Sequence, residues 1–224
     1  MTARRVFLVV VTGLAMAGGP RTAPAQTAAG RLIAAAHSGD TATLVRLLDA
    51  GTAIDSRDAQ GRTALLVATD ANQLEAARLL IARGANVNTQ DNIQDSAYLL
   101  AGARGRLEIL RLTLAAGADL KSTNRYGGTA LIPAAHYGHV DTVRELLKTA
   151  IAVDHVNRLG WTALLEAIIL GDGGTSHTEI VRLLLAAGAR PDLPDSLGVT
   201  PLAHAGQRGQ RAIADLLRAA GARR

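Results

Sequence analysis

The 224-residue sequence predicts an all-α solenoid of about six stacked helical units, because two independent markers recur with one period. The first marker is a Thr- or Ser-led segment, with steps of 33 residues and a last step of 38, at Thr63, Ser96, Thr129, Thr162 and Thr200. The second marker is a small residue at Gly51, Gly84, Gly117, Ala150, Gly188 and Gly221, with steps of 33 residues except for the step of 38 between Ala150 and Gly188. A fixed period of this length is typical of repeat architectures.

Each unit is expected to contain two helices, because the residues that bound them repeat with the unit. The leading Thr or Ser can accept a hydrogen bond from an otherwise unpaired N–H group in the first turn of the first helix. The second helix carries apolar residues at helical spacing, as at Val140, Val143 and Leu147. A glycine such as Gly84 then supplies the left-handed conformation that ends the helix. One unit cannot bury its apolar face alone, so the units are expected to stack without linkers.

Residues 1–25 have the three parts of a cleavable secretory signal peptide. Arg4 and Arg5 form a charged start, residues 6–20 are uncharged and mainly apolar, and Ala23 and Ala25 form a small-residue cleavage site. The apolar stretch is shorter than the ~20 residues of a membrane-spanning helix. We therefore expect cleavage after Ala25, rather than a retained anchor or an N-terminal core helix.

The expected destination is the periplasm of a Gram-negative-type cell. The paired arginines also resemble the twin-arginine export pattern, but Ala3 stands where that pattern usually has Ser or Thr, which favours the general secretory route. Without the signal peptide the chain keeps 21 basic and 19 acidic residues, too small an excess for a nucleic-acid surface. The chain has no cysteine, which excludes disulfides, thiolate chemistry and a lipid anchor. We expect no cofactor and no membrane span.

Two segments resemble the ankyrin repeat, whose signature is TPLHxA: GGTALIPAAHYGHVDTVRELL at residues 127–147 and GVTPLAHAGQRG at residues 198–209. The resemblance covers residues 26–224, with units at approximately 27–56, 57–89, 90–122, 123–155, 156–192 and 193–224. It implies that each unit is a β-turn and two antiparallel helices, the first unit lacking the leading turn. It also implies a protein-binding module that is not an enzyme.

In ankyrin-like proteins, partners bind the concave face formed by the turn tips and the exposed ends of the first helices. The resemblance places on this face Arg125, Tyr126, His136, Tyr137, Arg158, Leu159, Trp161, Ile169 and Leu170, beside Ile93, Asp95 and Arg104 of the third unit. Exposed Trp, Tyr and Arg dominate the energetics of many interfaces. The alternative is that Trp161 and Tyr126 only cover neighbouring turns. The predicted function is a monomeric periplasmic module that scaffolds or inhibits another exported protein.

Glu166 and His204 hold the same place in the fifth and sixth units, within a mostly apolar layer. Each is costly to bury unless it is paired, so we expect a structural hydrogen-bonded pair between them. The two groups could instead form the acid–base dyad of an enzyme, but no nucleophile, third group or cofactor motif lies in register with them. A purely structural stabiliser without a fixed partner is a further alternative. We predict no catalytic residue and no metal site.

The fifth unit contains an insertion of five residues, 172–176, between Gly171 and His177. We expect a loop between the two helices of that unit, because stacked repeats tolerate insertions in loops. The loop lacks the lysine of a phosphate-binding loop, and Asp172 and His177 alone are too few for a metal site.

The third unit departs most from the pattern of the other units. Gln94, Gly102 and Thr113 replace a turn glycine, a helix alanine and a core leucine. Each replacement costs on the order of 1 kcal/mol. This unit is therefore predicted to be the least stable, or the place where a partner supplies what is missing.

Overall fold

The computed structural model describes residues 27–223, which form twelve α-helices and no β-strand. The helices follow one another in pairs: α1 (Ala28–Ser38) and α2 (Thr41–Asp49), α3 (Ala64–Asp70) and α4 (Leu74–Ala82), α5 (Ala97–Ala103) and α6 (Leu107–Ala115), α7 (Leu131–His136) and α8 (Val140–Leu146), α9 (Ala163–Ile169) and α10 (Thr175–Ala186), α11 (Pro201–Gln207) and α12 (Arg211–Ala219). The predicted all-α solenoid is confirmed. The predicted signal peptide lies outside the described residues.

The helices form two layers with the apolar core between them. Odd-numbered helices pack side by side in one layer and even-numbered helices in the other. The odd-numbered layer has a buried alanine at one repeated position, and this lets neighbouring helices approach closely: Ala35, Ala68, Ala101, Ala134, Ala167 and Ala205. The even-numbered layer contributes larger buried side chains such as Leu80, Leu146 and Leu184, each worth about 1.5–3 kcal/mol. Within residues 27–223, no helix has both the length and the apolar character needed to cross a bilayer.

The Thr or Ser before the first helix caps it in the second, third, fifth and sixth units. There, the side-chain oxygen accepts a hydrogen bond from the backbone N–H three residues later. Thr129 of the fourth unit is the exception, because its hydroxyl is buried without a partner. Pro133 has no N–H to donate to the Thr129 carbonyl, so Ile132 donates instead at 3.2 Å and α7 begins only at Leu131.

The second helix of the fourth unit ends early. Its place in the period would carry α8 to residue 148, but the helix ends at Leu146. Ala150 stands where the other units have a glycine with positive φ, and it does not adopt that conformation. The chain passes instead through a turn in which the N–H of Thr149 donates to the carbonyl of Leu146 at 3.0 Å.

In the second to sixth units, a side chain at the start of the second helix bonds to the end of the first helix in the preceding unit. This side chain stands directly before α4, α6, α8 and α12, and in the first turn of α10. Gln73 donates to the carbonyl of His37, Arg106 lies 3.4 Å from the carbonyl of Asp70, and His139 bonds to the backbone of Ala103. His177 bonds to the carbonyl of His136 at 2.8 Å, and Gln210 donates to the carbonyl of Ile168 at 3.1 Å. These five contacts, the inter-unit ties, join each unit to the one before it.

The insertion in the fifth unit is only partly a loop. Residues 171–174 form an irregular connection, and Thr175 and Ser176 already belong to α10, which has 12 residues where α4, α6 and α12 have nine. The Asp172 carboxylate lies 2.8 Å from Nδ1 of His177. The inserted residues therefore add a helical turn ahead of an inter-unit tie that keeps its place.

The replacements in the third unit are accommodated. Gln94 adopts the left-handed conformation of the glycine it replaces, with φ of 65°. The hydroxyl of Thr113 is buried but donates to the carbonyl of Leu110 at 2.8 Å. At Gly102 a Cβ atom would lie 2.8 Å from Cβ of Ala130, so the missing methyl group lets α7 approach α5.

Candidate protein-binding groove

A groove of about 830 Å³ runs along the turn tips and first helices of the third, fourth and fifth units. We refer to it as the turn-side groove, and its walls include Ile93, Arg104, Tyr126, Tyr137, Leu159 and Leu170. It lies on the face where the sequence predicts binding. It is larger than a second groove of about 650 Å³ that lies beside the inserted segment.

Most of the predicted binding residues line this groove. They are Arg125, Tyr126, His136, Tyr137, Leu159 and Leu170, with Ile93, Asp95 and Arg104 from the third unit. Arg158, Trp161 and Ile169 are not among the lining residues. The groove also includes Arg106 and His139, which the sequence-based prediction missed although they recur at the position of the inter-unit ties. That these residues bind a partner stays a prediction.

Two tyrosines are the most exposed aromatic side chains of the groove. Tyr126 is 50% exposed, and the guanidinium carbon of Arg125 lies 4.7 Å from its ring centroid. Tyr137 is 60% exposed and stacks on His136 with 4.2 Å between ring centroids. Each ring therefore has a cationic or aromatic neighbour and still keeps half or more of its surface exposed.

Trp161 differs from the prediction because it is half-buried and lies outside the groove wall. Its backbone N–H donates to Oδ1 of Asn157, and its carbonyl accepts from the N–H of Asn157 at 3.0 Å. These two bonds close the turn tip of the fifth unit. The exposed apolar residue at this tip is Leu159 instead.

The turn tips share one hydrogen-bonding device. In each, a side-chain Oδ1 accepts from the backbone N–H groups two and four residues later, at Asp58, Asp91, Asn124, Asn157 and Asp195. These residues recur with steps of 33 and then 38, so the signal for them was present in the sequence. Across tips, the N–H and Nη1 of Arg158 donate to the carbonyls of Tyr126 and Arg125, which fixes the fourth tip against the fifth.

The predicted pair between Glu166 and His204 is wrong. Glu166 accepts from Nδ2 of Asn157 at 2.8 Å, and its other oxygen lies 3.6 Å from Nδ1 of His136. His204 lies 2.8 Å from a carboxylate oxygen of Asp195. Both side chains have equivalent registers, as predicted, but each points back to the turn residue nine positions earlier in its own unit. The contact therefore forms within units, and the proposed Glu166/His204 dyad does not exist.

Burial shifts the titration of the carboxyl groups in the groove wall. Glu166 is 6% exposed, and burial raises its pKa to about 7 although the bond from Asn157 opposes the shift. Burial also raises the pKa of Asp95, with the neighbouring charge of Asp91 adding to the effect. Desolvation lowers the pKa of His136. In each case burial shifts the pKa in the direction that favours the neutral form of the group.

Within the described part of the chain, no three His, Cys, Asp or Glu side chains are close enough together to hold a metal ion. The groove contains apolar side chains, tyrosine rings and guanidinium groups. This composition is that of a surface for binding another chain, since aromatic residues and arginine are enriched at protein interfaces.

Comparison with known proteins gives one family. A family model described as ankyrin repeats (3 copies) matches residues 25–91 and 98–195. An ankyrin repeat domain from Acinetobacter baumannii AYE is 60% identical, with a TM-score of 0.83 over 86% of this chain and 98% of that one. The ankyrin repeat protein EF0377 is 42% identical, with a TM-score of 0.81 over 85% of this chain and 97% of that one.

More distant or partial matches have the same repeat. The ankyrin repeat domain of Bcl-3, a member of the IkappaB protein family, is 27% identical with a TM-score of 0.77, over 86% of each chain. The ankyrin repeat protein YahD of Escherichia coli K12 is 55% identical over 56 residues, which are 25% of this chain and 28% of YahD.

Proposed function

The chain belongs to the ankyrin-repeat family, and we propose that it is a periplasmic, non-enzymatic module that binds a segment of another exported protein in the turn-side groove. Ankyrin repeats generally mediate protein–protein interaction, and that coarser function is the premise. In the proposed role, occupation of the groove scaffolds or inhibits the bound protein. The chain acts as a monomer.

The observation that carries this proposal is the exposure of Tyr126 and Tyr137 in one groove. They project from a support of Arg125 and His136 rather than from a flexible loop. Supported aromatic side chains lose little conformational entropy when they bind, which favours their use as anchors. Leu159 and Leu170, both exposed, extend the apolar surface beside them.

The test is photo-crosslinking in cells that export the protein. A photoreactive amino acid replaces Tyr137 in one variant and Leu197 in a control. Leu197 is 85% exposed at the tip of the sixth unit and lies outside the groove. We expect a discrete crosslinked protein from position 137 and none from position 197. Identical products from both positions would contradict binding in the groove.

The partner identified in this way is then titrated with the purified chain. Truncation of a central aromatic residue typically costs about 2 kcal/mol or more, or roughly thirtyfold in affinity. Tyr126→Ala and Tyr137→Ala are each expected to weaken binding to this degree without loss of helical content. Leu197→Ala serves as the control and is expected to bind as the wild-type chain does.

The periplasmic location is supported by the pattern of residues 1–25 and has its own test. Mass spectrometry of the protein recovered from the periplasm is expected to show an N-terminus at Gln26. A chain that keeps residues 1–25 and stays in the cytoplasm would exclude the periplasmic role and leave the groove itself unaffected.

A further inference from the structure

We infer that the segment bound in the turn-side groove is acidic as well as apolar, with carboxylates placed against Arg106 and Arg125 of the groove and Arg158 beside it, and with large apolar side chains against the groove wall. This inference rests on the proposed function and adds the chemistry of the partner. Three features of the described residues support it: the pairing of the arginines, the state of the groove carboxyl groups and the exposed apolar wall.

Five arginines on the second helices already have carboxylate partners. Each pairs with a Glu or Asp three residues earlier, at Arg78, Arg111, Arg144, Arg182 and Arg218. Exposed pairs of this kind stabilise the fold by only a few tenths of a kcal/mol. They do cancel the local charge, so these five arginines offer an acidic segment little net attraction.

The arginines at the groove are paired differently. Arg106, Arg125 and Arg158 form no ion pair with a carboxylate in residues 27–223. Nε of Arg106 is buried without a hydrogen-bond partner, and Arg125 lies over the ring of Tyr126. Arg158 donates to the carbonyl of Arg125 at 2.7 Å, which brings the third positive group to the same pair of turn tips. The pKa of Arg125 is raised by its contact with Tyr126 and by the charges of Asp95 and Asp91, so these carboxylates lie near the guanidinium group without forming an ion pair with it. A carboxylate of a bound segment can therefore pair directly with these arginines.

The carboxyl groups of the groove cancel this charge only in part. Glu166 is buried at the far side of His136, and its pKa of about 7 leaves it partly protonated at neutral pH. The pKa of Asp95 is also raised by burial. Arg104, which does pair, is bound to Asp70 of the second unit at 3.4 Å. Three arginines, Arg104, Arg106 and Arg125, line the groove beside two carboxyl groups, Asp95 and the buried Glu166, so the groove has a small excess of positive charge.

The apolar wall favours an acidic polypeptide over a nucleic acid as the bound partner. Ile93, Leu159 and Leu170 are exposed along the groove, and Leu100 and Ile132 also line it. The two exposed tyrosine rings could stack on nucleobases, but exposed aliphatic side chains add nothing to such binding, because base recognition relies on stacking and hydrogen bonds. They do suit Leu, Phe or Trp side chains of a peptide, whose burial contributes about 1.5–3 kcal/mol each.

The experiment is a selection of displayed random peptides on the full mature chain. Peptides of about twelve residues extend to roughly 40 Å, enough to follow three units. Selected peptides whose binding is lost in the double variant Tyr126→Ala/Tyr137→Ala are taken as groove ligands and synthesised. We expect them to be rich in Asp and Glu next to Trp, Phe or Leu.

Affinity of these synthetic peptides then tests the arginines. Arg125→Gln is expected to weaken binding by about tenfold, as is usual for a charge-assisted contact, or about 1.4 kcal/mol. Arg211→Gln removes an equally unpaired and exposed arginine on α12, outside the groove, and is expected to change affinity less than about twofold. Raising NaCl from about 0.1 M to about 1 M shortens the screening length from about 10 Å to about 3 Å and is expected to weaken binding further.

Several results would overturn the inference. Groove ligands that are neutral or basic, or that bind Arg125→Gln as tightly as wild type, remove the acidic requirement but leave groove binding intact. A single-stranded oligonucleotide that competes at the affinity of the peptides replaces the polypeptide with a polyanion. If no selected peptide depends on Tyr126 and Tyr137, the proposed function fails as well.

Discussion

Glu166 and His136 face each other between the fifth and fourth units, with Oε2 of the carboxyl group 3.6 Å from Nδ1 of the ring. The ring of His136 in turn stacks on the exposed Tyr137. A buried carboxyl group is thus two contacts away from the most exposed aromatic side chain of the turn-side groove. Substitutions at Glu166 therefore report on both stability and the groove.

Glu166→Gln is expected to change the pH dependence of stability. The folded chain keeps a proton on Glu166 up to a pKa of about 7, while the unfolded chain releases it near 4.5. Between these values the unfolded state binds fewer protons, so the contribution of Glu166 to the free energy of unfolding falls as pH rises. The isosteric amide lacks this decline, and the variant should gain on the order of 3 kcal/mol relative to wild type between pH ~4 and pH ~8.

Urea unfolding of both proteins across that pH range measures the difference. Parallel profiles for wild type and variant would show that Glu166 titrates normally in the folded chain.

Gly102→Ala and Gly206→Ala should have opposite effects, although the two glycines hold the same place in the third and sixth units. A Cβ atom at Gly102 would lie 2.8 Å from Cβ and 3.0 Å from the carbonyl of Ala130, whereas at Gly206 nothing lies within 4 Å. We expect Gly102→Ala to destabilise the chain by about 1–3 kcal/mol through overpacking. Gly206→Ala should stabilise it by about 0.5–1 kcal/mol through helix propensity. Thermal unfolding gives both values, and equal shifts would disprove the close approach of α7 to α5.

Tyr98→Phe is expected to preserve or raise stability. Tyr98 is fully buried, and its hydroxyl has no hydrogen-bond partner among the described residues. Burial raises the pKa of this phenol, as expected for a group that must stay neutral. Removal of an unsatisfied hydroxyl at constant ring volume should stabilise the chain by up to about 1 kcal/mol. A clear drop in melting temperature would mean that the hydroxyl is satisfied in solution.

Gln210→Ala should loosen the last unit without unfolding the rest. The Gln210 side chain is buried and its Nε2 donates to the carbonyl of Ile168, so the variant loses one inter-unit tie at a cost of about 1–3 kcal/mol. Amide hydrogen exchange should speed up in α12 and stay unchanged in α3 and α4. Gln207→Ala, an exposed glutamine on α11, is the control. Uniform acceleration along the chain would show that the units do not open separately.

The sequence predicted the positions of the helices because caps and turns depend on short-range hydrogen bonds. Thr63 and Thr162 act on the N–H three residues away, and such contacts follow from the local sequence alone. Pro133 is also visible in the sequence, but its effect on the cap at Thr129 became apparent only from the hydrogen bonds of the structure. At Thr129 the cap fails because Pro133 has no N–H for the Thr129 carbonyl, and the N–H of Ile132 donates to that carbonyl instead of to the hydroxyl.

The sequence predicted which face of the solenoid carries the candidate site, but not the contacts that its side chains make. The period places Glu166 and His204 at equivalent backbone positions, but it does not set the rotamers that direct each toward its own turn. Likewise, the tip of the fifth unit exposes Leu159 and half-buries Trp161, a choice made by side-chain packing. The repeat period determines which backbone positions are equivalent between units. The contacts of the side chains at those positions also depend on their χ angles.

Because of the inter-unit ties, the solenoid can become longer or shorter by whole units. Glutamine, arginine and histidine all occupy the tie position, so the joint requires a donor of sufficient reach rather than one particular side chain. Excision of residues 107–139 would bring Arg106 directly before Val140 and leave a tie residue at the start of the next helix. Excision of a block that is not a whole period would misplace every later donor. Gain or loss of complete units is therefore the structural change that this architecture tolerates most readily, and the five residues inserted before His177 are tolerated because they leave the donor after them in place.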